Sequence, residues 1–292
     1  MEIFRALAVF SEPPDRAGAG RVAEALGLGE TPEASAYTDV FVFQLYPYAS
    51  VYVGDEGMLG GEARDRVAGF LAALGLEGRP PEPDHLATLL GAYASLCASE
   101  ENARDGRARE HFRAARRAFL WEHLLSWLPV YLDKLTRVAP RFYKRWAGLL
   151  REALDSEAAS LGAQDALPLH LREARALADP RESSSEEFLK TLLAPARSGL
   201  ILVRDDLSRA ARALQTGVRA GERAFALRSL MGQDAAAALQ WLASEADAWE
   251  SLHTRRREAH GRVAEWWAAR ARSTAKLLRE LSADADAAFR KV

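Results

Sequence analysis

Apolar side chains in this chain recur every three, four or seven residues, which is the spacing of one face of an α-helix. Phe112, Phe119, His123 and Trp127 follow one another at steps of seven, four and four. Pro129 comes directly after this run, and proline favours the first turn of a new helix. Because helical spacing prevails over alternation along the chain, the sequence predicts an all-α protein.

The same spacing predicts further helices at Glu62–Leu74, His85–Ala98, Phe142–Leu154, Asp205–Leu214, Glu222–Met231 and Asp234–Leu252. The run Val40–Phe43 has the residue types of a β-strand. No second strand is available to pair with it, so we expect a helix there as well.

A polar, turn-rich segment, Asp179–Ser185, divides the chain. Ser184 and Glu187 have the spacing of a capping box, which favours the start of a helix. We therefore expect one domain over residues 1–180 and a C-terminal helical extension over residues 181–292. In the extension, Arg255–Arg257 interrupts the apolar pattern and Gly261 weakens it, so we expect two packed helices or a helical arm.

Composition limits the compartment. Cys97 is the single cysteine, which excludes an internal disulfide or a multi-cysteine metal site and fits a reducing environment. The N-terminus lacks the basic start and apolar run of a secretory signal. The uncharged stretch from Val40 to Gly54 is too short to span a bilayer. We expect a cytoplasmic protein without membrane insertion.

Charge is distributed unevenly along the chain. Residues 1–100 carry fifteen acidic and six basic side chains, a net charge of −9, and the remaining 192 residues carry 26 acidic and 33 basic groups, a net charge of +7. Such asymmetry concerns partners rather than fold. The acidic part suits a cationic ligand.

No signature of catalysis is present. The sequence contains no phosphate-binding Walker loop, dinucleotide fingerprint, HExxH or G-x-S-x-G motif, and its six histidines show no metal-ligand spacing. We expect a protein that is not an enzyme, without catalytic residues, metal or cofactor.

Three segments form an ordered set. They are Tyr46–Tyr52 (YPYASVY), Pro81–Ala87 (PEPDHLA), which opens a helix, and Phe119–Pro129 (FLWEHLLSWLP). The set resembles the TorD/DmsD/NarJ family of redox-enzyme maturation chaperones, which shows a YPxxSxY-like segment, a Pro-Asp-His motif and an F-L-x-x-H-L-x-x-W-x-P helix in this order. The resemblance covers about residues 40–150.

The resemblance implies an all-helical fold and a chaperone for the catalytic subunit of a molybdopterin-dependent oxidoreductase. Contact with that partner usually includes its N-terminal leader, often a twin-arginine signal. The family places the leader near the Pro-Asp-His loop, which here is Pro83, Asp84 and His85. Over a hundred residues follow the usual end of the family's chains.

Physical reasoning reaches the same region. Two guanidinium groups followed by an apolar stretch require carboxylates beside an apolar groove. Glu82 and Asp84 lie at the end of the proline-rich loop Gly75–Pro83, inside the acidic part of the chain. The candidate groove residues are aromatic or carry the family motifs: Tyr46, Tyr48, Ser50, Tyr52, His123 and Trp127.

Structural roles are the alternatives for each candidate. Asp84 can stabilise the positive end of a helix, and His85 can make a structural hydrogen bond in its first turn. The tyrosines, His123 and Trp127 can simply pack in the core.

A second function uses the basic C-terminal part. Residues 252–292 hold ten basic and five acidic side chains, and Arg255–Arg257 with Trp266 and Trp267 could contact phosphates and bases. The alternative, which we favour, is a solvated helix face with the tryptophans packed inward, so we do not expect nucleic acid as a partner.

Overall fold

The helical spacing of the sequence is realised in the computed structural model, which describes residues 2–14, 18–75, 81–217 and 221–289. Within these residues every regular element is a helix, and the sole β-type pairing is one isolated bridge between Tyr48 and His85. The all-α prediction is confirmed. Part of the predicted proline-rich loop, residues 76–80, lies outside the described residues.

The chain divides into two units. The first unit comprises Met1–Val51 and Leu59–Arg172, and the second comprises Tyr52–Met58 and Glu173–Val292. The predicted domain boundary near residue 180 stays a prediction. None of the described helices is both long and apolar enough to cross a membrane.

The helices that begin in the first unit are Glu2–Ala8, Ala19–Ala25, Ala34–Tyr37, Ala49–Val53, Gly61–Ala73, Leu86–Glu101, Gly106–Phe119, Leu128–Val138, Arg141–Leu161 and Leu169–Glu173. Large aromatic side chains fill the core between them. The Trp146 indole N–H donates to the Leu7 carbonyl at 2.9 Å, and the rings of Phe4 and Tyr93 meet edge to face at 4.8 Å. These contacts join the first helix to the long helices at the centre of the unit.

Two π-helical turns shape the surroundings of the motifs. The apolar run at Val40 lies in the turn Thr38–Val42, so the expected helix is confirmed in a wider form. The second turn, Leu120–Leu124, extends helix Gly106–Phe119 through the F-L-x-x-H motif. Pro129 then stands in the first turn of helix Leu128–Val138, as predicted.

The helices of the second unit are Ser185–Leu192, Pro195–Ser198, Arg204–Ala213, Arg223–Gln233, Ala235–Arg255 and Arg257–Phe289. Ser184 caps the first of them by accepting a hydrogen bond from the Glu187 N–H at 3.1 Å. The last two pack along each other, and the backbone at Gly261 departs from helical geometry with φ of 47°. Of the two expected arrangements, packed helices or a helical arm, the structure shows packed helices.

A short excursion of the chain, Tyr52–Met58, belongs to the second unit. Gly57 has φ of 62°, and a Cβ atom there would lie 2.8 Å from the Cα of Ala194. Asp55 forms ion pairs with Arg175 and Arg197. A glycine is therefore required at position 57 for both its conformation and its close approach.

Candidate functional site

The first two motif segments meet in the first unit and hold each other by backbone hydrogen bonds. The Leu86 N–H donates to the Pro47 carbonyl at 2.8 Å, and the Ala49 N–H donates to the Asp84 carbonyl at 3.0 Å. Sequence reasoning placed both segments at one site, and the structure brings residues 46–50 and 82–86 together.

Asp84 lies inside this junction and is only 2% exposed. Its Oδ2 accepts a hydrogen bond at 3.1 Å from the N–H of Ser50, in the first turn of helix Ala49–Val53. The Ser50 hydroxyl in turn accepts a hydrogen bond at 3.1 Å from the Gly60 N–H. A carboxylate at a helix start satisfies donors that the helix itself leaves open. Asp84 therefore stabilises the start of helix Ala49–Val53, although along the chain it precedes helix Leu86–Glu101.

His85 begins helix Leu86–Glu101 as its N-cap. Its Nδ1 accepts a hydrogen bond at 3.1 Å from the Ala87 N–H, so this nitrogen carries no proton. The ring packs edge to face against Tyr48, with the ring centroids 4.8 Å apart. His85 thus makes the structural hydrogen bond that was its alternative role.

Two carboxylates and two half-buried tyrosines gather beside the junction. Burial and a hydrogen bond to Glu82 raise the pKa of Tyr48, and burial together with the charges of Glu12 and Glu82 raises the pKa of Tyr37. Both tyrosines therefore stay neutral near two acidic groups. We call Glu12, Tyr37, Tyr48 and Glu82 the acidic cluster.

Three exposed apolar side chains lie next to the acidic cluster along the chain. Val42 is 44% exposed, Phe43 is 49% exposed and Tyr46 is 39% exposed. They follow Phe41, whose ring lies 5.2 Å from that of Tyr37. We call Val42, Phe43 and Tyr46 the apolar strip. Exposed apolar groups beside carboxylates are the features that recognise a cationic, apolar peptide.

The structure does not bring His123, Trp127 or Tyr52 to this surface. Trp127 is fully buried and donates its indole N–H to the His123 carbonyl at 2.9 Å. Its ring lies 5.3 Å from that of Tyr131, whose hydroxyl donates to the carbonyl of Leu45 at 3.3 Å. Trp127 therefore packs against the tyrosine that holds the Leu45 carbonyl, next to the first motif segment along the chain. Tyr52 is 2% exposed and belongs to the second unit.

His123 is buried among rings of the first unit. Its centroid lies 4.9 Å from that of Phe70, 5.2 Å from that of Phe119 and 6.0 Å from that of His170. Burial, and to a smaller extent His170, lowers the pKa of His123 to about 3. It is therefore a neutral core histidine at physiological pH.

Sequence reasoning missed Glu12, Tyr37, Val42 and Phe43. A signal for the last two was present, because four consecutive apolar residues in a helix cannot all face the core. Glu12 and Tyr37 are distant from the motifs along the chain, so only the folded structure relates them to Glu82.

The basic C-terminal residues do not form one exposed stripe. Arg255 is exposed, whereas Arg256 is largely buried, and burial lowers the pKa of its guanidinium to about 10. Trp267 is 1% exposed, and the guanidinium of Arg270 covers the ring of Trp266 at 4.8 Å. Nothing in this arrangement favours nucleic-acid binding. The described residues also contain no group of three or more side chains able to hold a metal ion.

Comparison with known proteins supports the motif assignment. The family model described as "Nitrate reductase delta subunit" matches residues 13–133, which include Tyr37, Tyr48, Glu82 and the apolar strip but not Glu12. This match makes residues 13–133 similar to that family, and it spans less than half of the chain. No solved structure matches the chain.

Individual relatives carry chaperone names. The chain is 41% identical over 83 residues to a selenate reductase assembly chaperone protein of Thauera selenatis, covering 28% of this chain and 42% of that protein. It is 40% identical over 83 residues, with the same coverages, to a chlorate reductase assembly chaperone protein of Ideonella dechloratans. It is 31% identical over 140 residues to the chaperone protein TorD of Shewanella pealeana, covering 43% and 58% of the two chains. The chain thus spans less than two thirds of the length of these relatives.

Proposed function

We propose that this protein is a chaperone, not an enzyme, that binds the apo form of the catalytic subunit of a molybdopterin oxidoreductase. It holds the subunit through its N-terminal leader, assists insertion of the cofactor and releases the subunit for export or assembly. Such a role places it in the cytoplasm. The relatives named as assembly chaperones of selenate and chlorate reductases support this assignment.

One observation carries the proposal: the exposed apolar strip lies next to the acidic cluster along the chain, and all of these residues except Glu12 fall within the matched region. A leader with paired arginines offers two guanidiniums and an apolar stretch. Carboxylates bind guanidiniums through charge-assisted hydrogen bonds, and the exposed groups of the strip bury apolar side chains.

In this proposal, some residues near the Pro-Asp-His motif contact the leader and others position the contacting residues. Glu82 is exposed and makes the charge contact, together with Glu12. Asp84, Ser50 and His85 are buried and act as positioning residues, because each accepts a hydrogen bond from a backbone N–H. Tyr46 and Tyr48 contribute ring faces.

The test is isothermal titration of a synthetic leader with paired arginines against the full chain and two charge variants. Glu82→Gln should weaken binding about 3- to 10-fold, in line with about 1 kcal/mol for a partly exposed ion pair. Glu101→Gln is the matched control, since Glu101 is an exposed carboxylate at the other end of helix Leu86–Glu101. The control should bind as the parent does.

An apolar variant tests the strip separately. Phe43→Ser should weaken leader binding at all salt concentrations, whereas the loss of affinity in Glu82→Gln should become smaller as the salt concentration rises. Parent-like binding by the double variant Glu82→Gln, Phe43→Ser would show that the leader binds at another site.

A further inference from the structure

An open cavity of about 320 Å³ lies in the second unit, away from every motif discussed above along the sequence. Helix Arg257–Phe289 provides one wall through Trp266, Arg270, Ser273 and Leu277, and Leu177 and Arg197 complete the site. The volume falls within the range of small-ligand sites. The walls are mainly apolar, with two guanidiniums among them.

Arg270 is fixed in place at the cavity. Its two terminal nitrogens donate at 2.9 Å to the carbonyls of Arg175 and Ala174. Its guanidinium carbon lies 4.8 Å from the centroid of the Trp266 ring. A guanidinium held by two backbone carbonyls and an indole ring is already ordered, so a ligand that contacts it has little side-chain entropy to remove.

Arg197 is the second guanidinium, and it is 7% exposed. It donates twice to the Ala176 carbonyl, at 3.0 and 2.9 Å, and once to Glu187 at 3.2 Å. A guanidinium has five N–H donors. Among the described residues, three donors of Arg197 and two of Arg270 therefore have acceptors, and the others are available for a ligand.

Positive charge exceeds negative charge around the cavity. Two carboxylates, Asp55 and Glu187, pair with Arg175 and Arg197, and the third arginine, Arg270, has no carboxylate partner among the described ion pairs. Burial and the nearby charge of Arg197 lower the pKa of Arg270, and the charge of Asp55 offsets this only in part. An anion placed between the two guanidiniums would relieve this repulsion.

We propose that the cavity binds a carboxylate that carries an apolar body. The carboxylate takes the open donors of Arg197 and Arg270, and the apolar body lies against Leu177, Leu277 and the free part of the Trp266 ring. Both an acidic or C-terminal residue of a polypeptide and a free organic acid have this chemistry. The site is independent of the leader-binding role.

Nuclear magnetic resonance of the tryptophan indole groups tests the proposal on the full chain. The signal of Trp266 is assigned from a Trp266→Phe variant, and the probe is 4-phenylbutyrate. It should shift the Trp266 signal in a saturable way, and 4-phenylbutanamide should bind at least tenfold more weakly because it lacks the charge. Equal shifts with the acid and the amide would overturn the proposal. So would the absence of a shift when the acid is raised from about 10-fold the protein concentration to its solubility limit.

Two phenylalanine variants locate the site. Ser273→Phe fills the mouth of the cavity from an exposed position and should abolish the shift. Arg272→Phe is the control, because Arg272 is exposed on the same helix and pairs with Glu250 instead of lining the cavity. Loss of binding in both variants, or in neither, contradicts the assignment. A leucyl-phenylalanine peptide with a free C-terminus binding more tightly than 4-phenylbutyrate identifies a polypeptide ligand, and the reverse order identifies a free acid.

Discussion

Replacing Asp84 by alanine or asparagine separates a positioning role from a contact role. The Asp84 carboxylate is 2% exposed and accepts the Ser50 N–H at 3.1 Å. Alanine removes this acceptor and leaves the N–H without its partner. Asparagine keeps an acceptor oxygen of the same shape and removes only the charge.

The expected magnitudes follow from that single bond. A hydrogen bond to a charged group contributes about 1.5–3 kcal/mol, so Asp84→Ala should lower the free energy of unfolding by about that amount. Asp84→Asn should cost about 1 kcal/mol or less, since asparagine caps helices as well as aspartate does. Leader affinity should fall in Asp84→Ala because residues 46–50 lose their anchor, and should stay near the parent value in Asp84→Asn.

Urea unfolding and leader titration on the same samples provide the measurement. In the Asp84 variants, a loss of leader affinity should accompany a loss of stability. Glu82→Gln, in contrast, should weaken binding without changing the unfolding midpoint. A parent-like midpoint combined with a tenfold loss of leader affinity in Asp84→Asn would refute the positioning role. It would show that the negative charge of Asp84 contacts the leader directly.

Two further predictions concern stability. Gly57→Ala should lower the free energy of unfolding by more than about 1 kcal/mol, because φ is 62° and the new methyl group would meet the backbone of Ala194; denaturant unfolding measures this. Because the pKa of His123 is lowered to about 3 in the fold, its stabilising contribution is present above the unfolded pKa near 6.5 and is lost as pH falls towards 3. Between pH 6 and 4 the parent should therefore lose up to about 1.4 kcal/mol per pH unit more than His123→Leu, and parallel unfolding curves would contradict this.

Helical periodicity was sufficient to predict most of the fold. The predicted helix Glu62–Leu74 is found at Gly61–Ala73, and Asp234–Leu252 is found at Ala235–Arg255. Periodicity reports which residues face a core, and an all-helical chain satisfies its backbone hydrogen bonds locally. Those boundaries can therefore be read without knowing the partners of each helix.

The site was only partly predictable, for a physical reason. The sequence brings Asp84 and Glu82 to the same loop with the same charge, yet the structure buries one and exposes the other. Their difference depends on Ser50, which lies 34 residues away in the chain and whose N–H meets Asp84 alone. Likewise Tyr37 and Glu12 join Glu82 only after the chain has folded. Such long-range pairings leave no local pattern.

The first hundred residues contain fifteen acidic side chains, and only those close to the bound peptide can distinguish a leader from other cationic peptides. At physiological ionic strength charges are screened over about 8 Å, so most of them act only on the approach of a cationic peptide. The acidic cluster is different, because its carboxylates lie beside half-buried tyrosines, where screening by water and salt is weaker.

Under the proposed function, the association rate should therefore depend on the net charge of the whole region and respond strongly to salt. The dissociation rate should depend on Glu12, Glu82, Tyr48 and the apolar strip, since these are the groups proposed to touch the bound leader. Neutralising a distant exposed acid would slow association slightly, whereas Glu82→Gln would shorten the lifetime of the complex.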